Sequence, residues 1–219
     1  MQLVTAFRWN HKGGECMTKM KRLICGILLL SFCLSSVSCK KKKEVFTHES
    51  IVSAAKSYGA EEAEDLDTIT ETIRKFEYTD GLYYTSADSS EAQFMYDNTI
   101  NRMTQFQSCH PRQCTIFFAN DETKSYMVVY MFTTKKANTA RKIYETMINE
   151  RDADTTTFGE KDGYEYALEY DVDKRTFELG FYRKENMIIM IRVVSKSEDS
   201  TENFEDFIDD LGLIAPSEI

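Results

Sequence analysis

The stretch of this chain whose residue types have the most chemical reach is Cys109-His110-Pro111-Arg112-Gln113-Cys114. Thiol oxidoreductases generally place two residues between their cysteines and set the attacking thiolate at a helix N-terminus, where its pKa falls. Here four residues intervene and a strand-like run, Thr115 to Ala119, follows. The spacing therefore predicts a structural disulfide between Cys109 and Cys114, closing a short loop and contributing about 2 kcal/mol by loop entropy. Three alternatives stand beside it: free thiols, a redox pair, and a metal site. In the last, Cys109, His110 and Cys114 supply three ligands and need a distant fourth.

Other catalytic parts are sparse. His48 falls in the first turn of a predicted helix, which suits a solvated polar position better than a general base. Asp152/Asp154 and Asp171/Asp173 have the spacing of calcium ligands but lack the glycine at loop position six, so they read as acidic turns. Glu202, Glu205, Asp206, Asp209 and Asp210 read as the wet face of the last helix, and Met95, Met103, Met127 and Met131 as gap-fillers in the core. The chain holds no Ser/His/Asp set, phosphate loop, dinucleotide fingerprint or zinc spacing. No enzyme, cofactor or metal is expected.

The elements that must carry these residues follow from periodicity. Phe46, Thr47 and Ile51 have the spacing of a hydrophobic staple around an N-cap. Ile51, Ala54, Ala55 and Tyr58 then form one stripe, and Gly59 stops the helix. Leu66, Ile69, Ile73 and Phe76 predict a second helix behind the acidic run Glu61 to Asp65. Beyond Phe76 the period becomes that of strands: Leu82 to Thr85, Thr115 to Ala119, Tyr126 to Thr133, Tyr164 to Tyr170, Thr176 to Tyr182 and Met187 to Val194. Short polar turns such as Lys184-Glu185-Asn186 make these antiparallel hairpins. Tyr164, Tyr166, Leu168 and Tyr170 alternate with Glu165, Ala167 and Glu169, the pattern of a sheet with one wet face. A last helix, Ser200 to Leu211, buries Phe204, Phe207 and Leu211 and stops at Gly212.

An internal repeat emerges at an offset of 48, where Thr85, Ala92, Tyr96, Ile100 and Asn101 coincide with Thr133, Ala140, Tyr144, Ile148 and Asn149. Each copy reads as a strand end, a Ser/Thr-rich cap and a helix with a small residue facing the sheet. The alternative is that any two strand-to-helix junctions look alike. The order β-α-β-β-α-β-β-β-α specifies the α+β class, an antiparallel β-sheet with helices packed on one face. The repeat would divide it into two related β-α-β halves, residues 76–123 and 124–195, within a single domain spanning 47–219.

Targeting is written ahead of this domain. Met20-Lys21-Arg22, an apolar run from Leu23 to Val37 and the small-residue end Ser38-Cys39 make 17–38 a signal peptide, too short for a spanning helix of about 20 apolar residues. Ser36-Val37-Ser38-Cys39 resembles the lipobox of bacterial lipoproteins, which implies that the Cys39 thiol is acylated and becomes the first residue. Ser36 stands where that family has leucine, and Ser36-x-Ser38 also suits an ordinary signal peptidase, in which case the chain is simply secreted. Lys40 to Lys43, in the segment 39–46, suit a tether on an anionic surface at about 1 kcal/mol per basic side chain, or a plain polar linker. Residues 1–16 read as untranslated sequence. Lys12-Gly13-Gly14-Glu15 is what a purine-rich ribosome-binding site encodes, so Met17 or Met20 is the expected start.

Five of the 27 basic residues and one of the 36 acids precede Cys39, leaving 22 basic against 35 acidic residues, a net charge of −13. That sign argues against nucleic acid as a partner. The 181 residues from Cys39 onward suffice for one domain with a real core. Over most of that length the chain resembles small lipoproteins of unknown function from gut Firmicutes. The resemblance rests on Tyr58-Gly59, on Phe132-Thr133-Thr134 through Ala140, on Ile191-Arg192-Val193 and on Leu211-Gly212. It implies a membrane-anchored protein and supplies no activity.

The expectation is therefore a lipoprotein on the outer face of the bacterial cytoplasmic membrane. It would act as a non-catalytic binding module for an unknown protein or small-molecule ligand, through exposed tyrosines on the open face of its sheet. The alternatives are a thiol-disulfide lipoprotein using Cys109 and Cys114, and a small solute-binding lipoprotein. The last is disfavoured because two lobes with a cleft usually need a longer chain.

Overall fold

The computed structural model of the protein describes residues 46–67, 70, 81–99, 109–149, 151–170 and 177–218. The expectations for residues 1–16, the signal peptide 17–38, Cys39, most of the tether, the second helix past Asp67, Met103 and the Asp171/Asp173 pair lie outside them. Residues 44–219 form one compact unit.

Its elements are α1 (His48–Ser57), β1 (Glu61–Glu62), β2 (Gly81–Asp88), α2 (Ser89–Asn98), β3 (Gln113–Asn120), β4 (Tyr126–Thr133), α3 (Ala137–Asn149), β5 (Thr156–Lys161), β6 (Tyr164–Tyr170), β7 (Phe177–Lys184), β8 (Met187–Val194) and α4 (Glu198–Asp210). A short 3-10 turn, Pro216–Glu218, follows. The strands make one open sheet in the order β1-β2-β3-β4-β8-β7-β6-β5. Every pairing is antiparallel except that of β1 with β2. The fold is of the α+β class.

The first helix forms as its sequence dictates. The Thr47 hydroxyl accepts the Ser50 amide at 3.0 Å, Phe46 and Ile51 are buried in one cluster, and Gly59 follows at φ 91°. At the other end of the domain Ser197 caps α4 and Gly212, at φ 71°, ends it.

The helices do not share one face, and this corrects the expected arrangement. Helices α1 and α4 pack with Phe117, Val129, Met131 and Ile191 on one side of the sheet. Helices α2 and α3 pack with Ile116, Tyr130, Phe132 and Met190 on the other. The cause is visible in β4 and β8, whose runs Tyr126 to Phe132 and Met187 to Ile191 are apolar without alternation, the mark of strands covered on both faces. Strand β6 departs from its sequence alternation, with Tyr164, Ala167 and Leu168 buried and the rest part-buried. The open sheet face expected for ligand stacking is consequently absent at the centre, and Tyr84, Tyr126, Tyr130, Tyr164 and Tyr182 are buried.

The junctions proposed as a repeat do occupy matching places. Strands β2 and β4 both run antiparallel to β3, so they point the same way, and each leads into a helix on the same face of the sheet. Ala92 and Ala140 are completely buried, one turn before the buried Tyr96 and Tyr144. The continuations differ: β3 returns beside β2, whereas β5 lies at the far edge of the sheet from β4.

Candidate functional site

On the face covered by α1, the apolar rows of β2, β3 and β4 end in hydroxyls. Tyr84 is followed by Ser86, Phe117 is preceded by Thr115, and Met131 is followed by Thr133. The staple at Phe46 sets the angle at which α1 meets this row, and it drops His48 onto it. His48 Nδ1 lies 2.7 Å from Thr115 Oγ1, and its Nε2 lies 2.8 Å from Thr133 Oγ1. Thr115 is in turn 2.7 Å from the hydroxyl of Ser86. The imidazole is 6% exposed, so His48 is not the solvated residue its place in a first helical turn suggested. A hydroxyl at an inward strand position needs a polar partner, and the two threonines were the signal that an inward-facing side chain of α1 would be polar.

Beside this cluster, at the ends of the central strands, opens a cleft of about 380 Å³ lined by Phe46, Thr47, His48, Glu49, Gln113, Thr133, Lys184, Glu185 and Met187. That volume is of the order that small-ligand sites have. The far wall, the β7–β8 turn, is held firmly. Arg183 Nε donates to Glu165 Oε2 at 2.7 Å and Arg183 Nη1 donates to the Glu185 carbonyl at 3.2 Å. The Thr134 amide donates to the Asn186 carbonyl at 2.8 Å, and Asn186 Nδ2 returns a bond to the Thr134 carbonyl at 2.9 Å. Phe46 and Glu185, which both line the cleft, adopt left-handed backbone at φ 69° and 52°. For a buried phenylalanine that conformation is strained, and such strain concentrates at ligand sites.

A hydroxyl beside an imidazole nitrogen is the geometry of an activated nucleophile, but the electrostatics here remove the activation. Burial lowers the pKa of His48 to about 4. A base that weak removes a hydroxyl proton poorly at neutral pH. Its other nitrogen meets a threonine hydroxyl rather than a carboxylate that would stabilise an imidazolium. The cluster is a satisfied polar floor.

Cys109 and Cys114 lie near the same strand ends on the opposite face, both completely buried as free thiols. Burial pushes the Cys109 thiol up to about 11, despite a hydrogen bond from Tyr96 that works the other way. Burial and the neighbouring Cys109 push Cys114 higher still. His110 turns outward, its Nδ1 2.9 Å from Gln93 Oε1. Among the described residues no three His, Cys, Asp or Glu side chains converge as metal ligands do. Asp152 accepts the Asp154 amide at 3.0 Å, closing a local turn. Met95, Met127 and Met131 are core residues, and Glu202, Asp206, Asp209 and Asp210 are exposed.

At the opposite end of the sheet a second polar cluster is structural. Asp121 accepts hydrogen bonds from Thr123, Ser125 and Ser200, tying the β3–β4 turn to the first turn of α4. Burial raises its pKa, but these bonds outweigh that and the net shift is downward.

No family model matches the chain, and no curated protein matches it. Among solved structures, an uncharacterised protein of Mycobacterium smegmatis is similar at a TM-score of 0.28 and 10% identity, over 67% of this chain and 96% of that one. That likeness is too slight to bear on fold or function.

Proposed function

We propose that the protein is a non-catalytic binding lipoprotein, held at the outer face of the bacterial cytoplasmic membrane by a lipid on Cys39, whose ligand seat is the cleft beside His48. The observation that carries this reading is the composition of the rim. Lys184, Glu49, Glu185 and Gln113 line the cleft together with the apolar side chain of Met187, and no ion pair within the described residues engages any of them. A mixed-charge rim over an already satisfied floor fits a small zwitterionic ligand, or the terminus of a peptide, better than it fits a reaction. No helix among the described residues is long and apolar enough to cross a membrane.

The thiol-disulfide alternative is weakened by the burial of both sulfurs, because the thiolate is the nucleophile and is scarce here. A structural bridge between Cys109 and Cys114, formed on export, stays part of the proposal. The two-lobed solute-binding alternative finds no support in a domain built on one continuous sheet.

The test is a titration of the isotopically labelled protein with glycine and short dipeptides as probes, followed through its amide resonances. A seat in the cleft gives saturable shifts at Thr47 to Glu49, Gln113 and Lys184 to Met187 by about 10 mM probe, where even a millimolar site is filled. Shifts elsewhere, or none at that concentration, overturn the reading.

A further inference from the structure

We infer that the Thr133 hydroxyl is the hydrogen-bond partner the cleft offers its ligand, and that His48, Thr115 and Ser86 let it serve either a donor or an acceptor by reversing one chain of hydrogen bonds. This deepens the ligand seat proposed above and rests on it. The chain runs without a gap. Thr133 Oγ1 lies 2.8 Å from His48 Nε2, His48 Nδ1 lies 2.7 Å from Thr115 Oγ1, and Thr115 Oγ1 lies 2.7 Å from Ser86 Oγ. Its middle is sealed, Thr115 being completely and His48 almost completely buried. Its ends are open: Thr133 is partly exposed and lines the cleft, whereas Ser86 is exposed and does not line it.

Strand register and the helix cap build this chain. Ser86 and Thr115 are directly paired across β2 and β3, so their side chains stand together on one face. Thr133 lies two residues beyond Met131, the β4 partner of Thr115, and so ends the next row on the same face. His48 reaches both threonines because the Thr47 cap and the buried Phe46 and Ile51 fix the first turn of α1.

Counting donors gives two states. Burial keeps the His48 ring neutral at neutral pH, with one N–H donor and one acceptor nitrogen, and each hydroxyl has one donor and two acceptor sites. With the proton on Nε2, the ring donates to Thr133, whose own O–H turns to the cleft; Nδ1 then accepts from Thr115, which accepts from Ser86. With the proton on Nδ1, every bond reverses. The ring donates to Thr115, Thr115 donates to Ser86, and Thr133 donates to Nε2 and shows the cleft its lone pairs. Passing between the states takes one proton from water at Ser86 and returns one to water at the cleft, or the reverse, and the ring stays neutral. Both states satisfy the buried Thr115 and His48, so the ligand selects between them by what it brings. A carboxylate selects the first and an ammonium the second.

The test follows the His48 ring nitrogens by NMR in the isotopically labelled full-length protein, in mild detergent at neutral pH, with acetate and methylammonium as probes. In the wild type, acetate should move the ring proton toward Nε2 and methylammonium toward Nδ1, read from which nitrogen gives the pyrrole-type signal. Ser86→Val puts methyl groups in place of the hydroxyl and leaves the Thr115 proton no acceptor but Nδ1 among the described residues. Without any probe its ring should already carry the proton on Nε2. Methylammonium should then bind about fivefold more weakly than to the wild type, as when the competent state falls from about half to about a tenth of the molecules. A purely structural role for Ser86 would lower stability and leave the ring proton where it was. An unchanged ring in Ser86→Val, or probes that shift the cleft amides without moving the ring proton, overturns the inference and leaves the seat standing. No binding of either probe, nor of glycine or dipeptides, overturns both.

Discussion

The Nε2 atom of His48 lies 2.8 Å from the hydroxyl of Thr133, joining the first turn of α1 to the last residue of β4 across 85 positions of sequence. Because burial lowers the pKa of this ring to about 4, the unfolded chain binds a proton near pH 6.5 that the native state refuses. Stability should therefore be complete above pH 6.5 and fall as the pH drops toward 4, by about 3 kcal/mol from this group. In His48→Gln that part of the acid dependence should vanish. Denaturant unfolding of both proteins between pH 4 and 8 checks it, and parallel curves would show that His48 titrates normally. Asp121, whose pKa is lowered, adds a loss of the same sign below the usual carboxylate range.

The buried alanines give a packing prediction. Ala92 and Ala140 have no exposed surface where α2 and α3 meet the sheet. Leucine at either should cost about 1–3 kcal/mol by overpacking. Leucine at exposed Arg141 should change stability by less than about 0.5 kcal/mol. Gln93, beside Ala92, is a poor control because its amide bonds Asp97 and the Cys109 carbonyl. Equal, negligible effects at Ala92, Ala140 and Arg141 in urea unfolding would contradict the packing described.

Much of this architecture was readable beforehand, and what was missed has physical causes. The bounds of β4, β6 and β8 coincide with the expected strands because polar turns cut them sharply. The caps at Thr47 and Gly212 formed because few residues substitute for them. Strand β5 escaped notice because Thr156-Thr157-Phe158-Gly159 is short, contains glycine and, lying at an edge, has little need of an apolar row. The two-sided cover of the sheet was present in the unbroken apolar runs of β4 and β8, but the alternation in β6 pointed the other way. His48 was misplaced because a first-turn position usually faces water. Its burial depends on threonines 67 and 85 residues away, a pairing that local periodicity does not encode.

For the cysteines, the proposed export of the protein predicts that Cys109 and Cys114 are bridged when it is isolated from cells. Alkylation in denaturant without reductant should leave both unlabelled, and reduction should cost about 2 kcal/mol of stability. Two labelled thiols would remove the bridge.

The anchor is tested at Cys39. Its replacement by Ala should abolish metabolic lipid labelling and release the chain from the membrane fraction. A variant that stays with the membrane and still takes up lipid label would place the attachment elsewhere.

The cleft itself is examined most directly by comparing probe binding to the wild type and to Lys184→Glu, a rim change that touches neither the His48 cluster nor the core. Calorimetric titration with the dipeptide that binds best should show affinity falling at least about tenfold, roughly 1.4 kcal/mol, while the thermal midpoint stays unchanged. Equal affinity in the two proteins would contradict the account.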